Sequence, residues 1–128
     1  LEDNPHHAEL ITEFLDEYLA PVVIHATDTI RAALNLLVRH HYDVILSDGV
    51  IHKRPILADA KRLLKAAGGT PVIVITGSGD ERTAAELTRL GIAQYLVKTR
   101  ETLELLPFIL RRYGQRLSIG KKYLQKNS

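Results

Sequence analysis

Apolar residues recur at helical spacing at Leu10, Ile11, Phe14, Leu15 and Tyr18. Asn4-Pro5 ahead of them reads as an N-cap with proline in the first turn. Pro21 ends that predicted helix, and Val22-Val23-Ile24 is a short β-branched run, hence a strand. Thr27 or Asp28 is expected to cap a second helix carrying Ile30, Ala33, Leu34, Leu37 and Val38. Val44-Ile45-Leu46 reads as the next strand, with Asp48 just beyond it. Gly49 to Pro55 reads as a loop, and a helix over about 56–67 should stop at Gly68-Gly69. Val72-Ile73-Val74-Ile75 is a fully apolar strand ending at Thr76. The Gly77-Ser78-Gly79 loop and an Asp80-capped helix ending at Gly91 follow. Tyr95-Leu96-Val97 is the last strand, with Lys98 at its end. A final helix covers roughly 102–117, and Pro107 is expected in or near its first full turn, because an interior proline disrupts a helix. Short, unalternating strands between helices imply a parallel sheet covered on both faces, an α/β fold.

Length and composition add limits. A chain of 128 residues, 45% apolar and 25% charged, fits one globular domain. No apolar run is long enough to span a bilayer and no secretory signal opens the chain, so a cytoplasmic protein without membrane partners is expected. The absence of cysteine excludes disulfides and thiolate metal sites, and the absence of methionine implies something other than an intact translation product. Net charge is only +2, yet from Arg111 onward there are six Lys or Arg and no acid, leaving 11 basic against 15 acidic residues before it. The basic end reads as a solvated helix end and linker, with nucleic-acid binding by the domain itself disfavoured.

The candidate chemistry lies at the strand ends, where open α/β sheets bind ligands. Asp48, Thr76 and Lys98 end three successive strands, and Glu2-Asp3 precede the first helix, where a further strand would end. Three acids, a hydroxyl and an ammonium on one rim suit phosphoryl transfer to a carboxylate. Clustered carboxylates suit Mg²⁺, a hard cation that takes oxygen ligands. One carboxylate serves as nucleophile, while lysine and threonine pair with phosphoryl oxygens.

These residues resemble the receiver domains of two-component response regulators. "LEDNP" resembles the end of that family's first strand with its acidic pair, and "YDVILSD" its phosphoacceptor strand. "PVIVITGSGDE" resembles the fourth strand with its switch threonine, and "GIAQYLVK" the fifth strand with its switch aromatic and lysine. The resemblance covers roughly 1–112. It implies a flavodoxin-like, doubly wound five-stranded parallel sheet, order 2-1-3-4-5, with most of strand 1 outside the chain. It implies a receiver domain over 1–117 and a basic extension over 118–128. It implies that Asp48 accepts phosphate from a histidine kinase or phosphotransfer protein. Asp3, Asp48 and the main-chain carbonyl of Val50 would bind Mg²⁺, Glu2 partly through water. Thr76 and Tyr95 would be the switch pair and Lys98 the ion-pair partner. Such a domain is no enzyme beyond Mg²⁺-dependent self-phosphorylation and self-dephosphorylation. Its output surface is the fourth helix, fifth strand and fifth helix, which serves a homodimer or a downstream output domain.

Three departures stand out. Little of the first strand is present, so residues upstream are expected. The loop "GVIHKRPILADA" lacks the family's proline and glycine pattern and is about two residues short. Thr99 stands where a cis proline usually follows the lysine, and a trans bond is expected there. The pairs His6-His7 and His40-His41 point apart on a helix and read as surface residues, while His52 lies closest to the rim, where it could meet the phosphoryl group or a partner. The alternative function is a phosphorylation-independent receiver-like interaction module. A flavin carrier of similar topology is disfavoured, since the acidic rim repels a flavin phosphate.

Overall fold

The computed structural model describes residues 1–18 and 22–117; the proposed extension at 118–128 and Pro21 lie outside them. Helix α1 (Pro5–Tyr18) begins where Asn4 caps it, its Oδ1 accepting from the backbone of His6 at 2.9 Å and His7 at 3.3 Å. Helix α2 (Ile30–Arg39) is capped by Thr29 rather than by the expected Thr27 or Asp28, its hydroxyl accepting from Ala32 N. Strand β1 (Ile45–Asp48) includes Asp48 as its last residue. Then come β2 (Val50–Ile51), β3 (Arg54–Pro55), a 3₁₀ turn (Ile56–Asp59), α3 (Ala60–Ala67), β4 (Val72–Thr76), α4 (Glu81–Leu90), β5 (Gln94–Val97) and α5 (Arg100–Leu117).

The parallel sheet runs β1-β4-β5, the 3-4-5 part of the expected order. Pleating sends alternate residues to opposite layers. Val72 and Val74 face Ala60, Leu63 and Leu87 of α3 and α4, with Tyr95 packed against the same cluster. Ile73 faces Leu15 of α1 and Leu106 and Leu110 of α5. The remaining two expected strands are not formed among the described residues. Leu1 nonetheless sits beside β1 as the end of a strand would, its nitrogen donating to Leu46 O at 2.8 Å and its carbonyl accepting from Asp48 N at 2.9 Å. On its other side Glu2 N donates to Thr27 O at 2.9 Å. Val22–Ile24, expected as a strand, makes no ladder among the described residues.

Three further expectations fail. Gly49 to Pro55 is not a plain loop: β2 and β3 pair antiparallel around His52-Lys53, whose φ values are +50° and +63°. Neither residue is the glycine or asparagine such a turn favours. The strain is held by tertiary bonds, His52 N donating to Asp3 Oδ2 at 2.8 Å and its Nε2 meeting Asp28 O at 2.9 Å. Pro107 is not in the first turn of α5. Thr99 caps that helix, its Oγ1 accepting from Thr102 N at 3.0 Å, so the helix starts at Arg100 and Pro107 falls in its interior. The proline ring is fully buried, which offsets the lost ladder bond. His40, expected at the surface, has a buried Nδ1 without a partner and packs edge-on to His25, with 5.1 Å between ring centroids. The other punctuation holds: Gly68 ends α3 at φ +58°, and Asp80 caps α4.

Two stability predictions follow from these elements. Replacing Lys53 by Gly removes a left-handed β-carbon and should raise unfolding stability by about 1 kcal/mol, read by chemical denaturation. Asp43, at 1% exposure with Oδ2 unpartnered, has its carboxyl pushed up by burial to about 6. The folded state therefore binds that proton more tightly than the unfolded chain. Stability from this group is full below about pH 4 and is lost as pH rises towards 6. Relative to Asp43→Asn, the wild-type protein should lose ~2 kcal/mol of unfolding free energy between pH 4 and 7; parallel pH profiles would refute this.

Candidate functional site

The parallel register aligns the strand ends. Asp48 lies opposite Ile75, and Thr76 opposite Val97, so Asp48, Thr76 and Lys98 reach one rim. Lys98 N donates to Thr76 O at 2.7 Å, which fixes the start of the Lys98 side chain against β4. Asn4 N donates to Glu2 Oε2 at 3.1 Å and brings the acidic pair to the same place.

The Lys98 side chain is 10% exposed, and its Nζ donates to Glu2 Oε1 at 2.8 Å and to Asp48 Oδ2 at 3.2 Å. Carboxylate oxygens of Glu2, Asp3 and Asp48 all lie within 4.8 Å of one another. Burial raises the Glu2 pKa above its ordinary value; the bond from Lys98 opposes that rise, and the nearby Asp48 adds to it. Three carboxylates against one ammonium leave two negative charges. All candidate ligands are oxygens, so the donor set fits a divalent hard cation.

Hairpin geometry bears on Val50. Ile56 N bonds Gly49 O at 2.8 Å, so the next pair, Val50 and Pro55, is the non-bonded one, and the N–H and carbonyl of Val50 point outward. Its N–H reaches Asp48 Oδ1 at 3.4 Å, which puts the Val50 main chain beside the acidic cluster. Thr76 is buried, and a β-carbon on Gly49 would stand 2.7 Å from Thr76 Cβ and 2.8 Å from its Oγ1. Only glycine after Asp48 lets the threonine hydroxyl come so close. Tyr95 lies half-buried on the α4 side of the sheet, its ring near Gly79 in the β4–α4 loop.

Two histidines belong to the site in ways the sequence did not show. His7, read as a surface residue, places Nδ1 3.2 Å from Lys98 Nζ. Its partner lies 91 residues away, so no local signal pointed to it. His52 serves mainly through its backbone bond to Asp3, with its ring Nδ1 4.0 Å from Asp3 Oδ2.

Comparison with known proteins agrees with this geometry. The response regulator receiver domain family matches residues 1–109. The methanogenesis regulatory protein FilR1 of Methanothrix harundinacea is 28% identical over 116 residues, covering 85% of this chain but only 25% of that protein. The chain thus spans about a quarter of that relative. A two-component response regulator from Clostridium difficile superposes with a TM-score of 0.80 at 16% identity, covering 91% of this chain and 93% of that one. A response regulator protein from Burkholderia pseudomallei, determined with a phosphorylated aspartic acid and a calcium ion, gives 0.73 at 18% identity, covering 91% and 68%. No helix among the described residues is long and apolar enough to cross a membrane. With a matching family over most of its length and the flavodoxin-like arrangement of its sheet and rim, this chain belongs to the response regulator receiver domain family.

Proposed function

We propose that the domain works in the cytoplasm as a phosphoacceptor of two-component signalling, taking a phosphoryl group from a histidine kinase or phosphotransfer protein onto Asp48. The observation that carries this reading is the convergence of Lys98, Glu2 and Asp3 on the Asp48 carboxylate, with Thr76 packed against the next residue, Gly49. In the transfer, an Asp48 oxygen forms the new bond to phosphorus as the donor's P–N bond breaks, and the imidazole leaves. Lys98 turns an ammonium proton to the phosphoryl group, and Thr76 donates its hydroxyl to another phosphoryl oxygen. Glu2, Asp3, Asp48 and the Val50 carbonyl are the residues that would hold Mg²⁺, which neutralises charge on the phosphoryl oxygens. The same groups account for slow loss of the phosphate to water, and no other enzymatic activity is proposed.

Output follows from Thr76. Drawing its hydroxyl toward a phosphoryl group vacates space on the α4 side of the sheet, where Tyr95 packs. The ring then turns inward and reports the phosphate to the surface of α4, β5 and α5. The phosphate biases two pre-existing states by the difference in its contacts between them. That surface carries Arg82, Glu86, Arg89, Arg100 and Glu104, with ion pairs Arg89–Glu86 at 2.6 Å and Arg100–Glu104 at 3.4 Å. It offers a second copy, or an output domain, a salt-sensitive contact.

Two measurements test the reading. The wild-type protein should take phosphate from acetyl phosphate in Mg²⁺, with at least tenfold less uptake, on the order expected for loss of an essential nucleophile or cation, in chelator or in folded Asp48→Asn. Equal labelling of the variant would rule out Asp48, and a wild-type protein that takes none would favour the phosphorylation-independent module. Beryllofluoride should shift amide resonances of residues 77 to 104 as well as the Asp48 rim; silence there would remove the Thr76–Tyr95 route.

A further inference from the structure

Lys98 carries three ammonium protons and has three acceptors: Glu2 Oε1 at 2.8 Å, Asp48 Oδ2 at 3.2 Å and His7 Nδ1 at 3.2 Å. An ammonium only donates, so in this contact His7 Nδ1 is the acceptor. We propose that His7 is a positioning residue for phosphoryl transfer, holding the Lys98 ammonium at the rim while the two carboxylates change partners. This inference rests on the reading of Asp48 as phosphoacceptor and adds a residue to it.

The placement begins in the local sequence. Asn4 caps α1 through its side chain and ties its own N–H to Glu2 Oε2 at 3.1 Å. Residues 2 to 7 are therefore one unit that brings both the Glu2 carboxylate and the His7 ring against Lys98. In the absence of a cation the carboxylates hold the ammonium, Glu2 most closely. Once Glu2 and Asp48 turn to a divalent cation and a phosphoryl group, Lys98 loses its two charged acceptors. His7 then remains. Its Nδ1 faces the ammonium rather than the carboxylates. It occupies one ammonium proton and leaves two for the phosphoryl group. The benefit is preorganisation: a long, flexible side chain is already aimed where negative charge must be met.

The test compares His7→Ala with His7→Asn, whose side-chain oxygen can stand near the place of Nδ1. Phosphorylation by acetyl phosphate, Mg²⁺ affinity by calorimetry and the unfolding midpoint are measured for each. His7→Ala should phosphorylate about tenfold more slowly, the scale of a lost positioning contact, with Mg²⁺ affinity and midpoint unchanged. His7→Asn should recover most of the rate. The proposal is overturned if His7→Ala matches the wild-type rate, if His7→Asn is as slow as His7→Ala, or if Mg²⁺ affinity or the midpoint falls in step with the rate. A wild-type protein that takes no phosphate would remove the Asp48 reading and this one with it, whereas normal wild-type uptake with an indifferent His7→Ala removes this one alone.

Discussion

The rim depends on one nearly buried ammonium held between two carboxylates. Lys98 joins Glu2, 96 residues away, and Asp48, 50 residues away, at 10% exposure. Taking these charges out of water is costly, and only mutual pairing with a third acceptor makes the arrangement tenable. The parallel register supplies the geometry. β4 and β5 end level, at Thr76 and Val97, β1 ends one residue short, with Asp48 opposite Ile75, and the backbone bond from Lys98 to Thr76 O holds the lysine to its neighbour strand. With Lys98 counted, the three carboxylates still leave an acidic excess made of oxygen donors, the kind of set a hard cation takes.

Around that centre, two local features trade backbone or steric freedom for position. Gly49 has no β-carbon where one would strike Thr76, so the threonine hydroxyl lies against the residue that follows Asp48. His52 and Lys53 adopt left-handed backbone in a tight hairpin without glycine. Such strain persists only where surrounding structure holds it. Here it is held by Asp3 and the Asp28 carbonyl, and the return is a Val50 main chain facing the acidic cluster. The short, atypical loop is thus a compact alternative means of bringing main-chain groups to the rim.

The two sheet faces divide the work. Ile73, Leu106 and Leu110 make a core with α1 and α5, while Val72, Val74 and Leu87 make another with α3 and α4. Thr76 shares the face of Val72 and Val74, the face on which Tyr95 packs. Thr76 thus lies in the same layer as α4 and β5, whose outer surface carries exposed, paired charges.

The sequence by itself determined the apolar strands, the caps at Asn4 and Asp80, the stop at Gly68 and the strand-end placement of Asp48, Thr76 and Lys98. Each of these depends on local periodicity or on side chains bonding their own backbone, so neighbours in sequence suffice. Tertiary structure decided the rest. Val22–Ile24 is β-branched yet forms no ladder, because a strand exists only with a partner. The 49–55 segment folds as a hairpin against its turn propensity, since the bonds holding it come from Asp3 and Asp28. Pro107 sits inside α5 because the Thr99 cap starts the helix early and core burial accepts the ring. His7 belongs to the site through Lys98, a residue 91 positions away. No local pattern encodes such a contact, which exists only once the sheet brings the two ends of the chain to one rim.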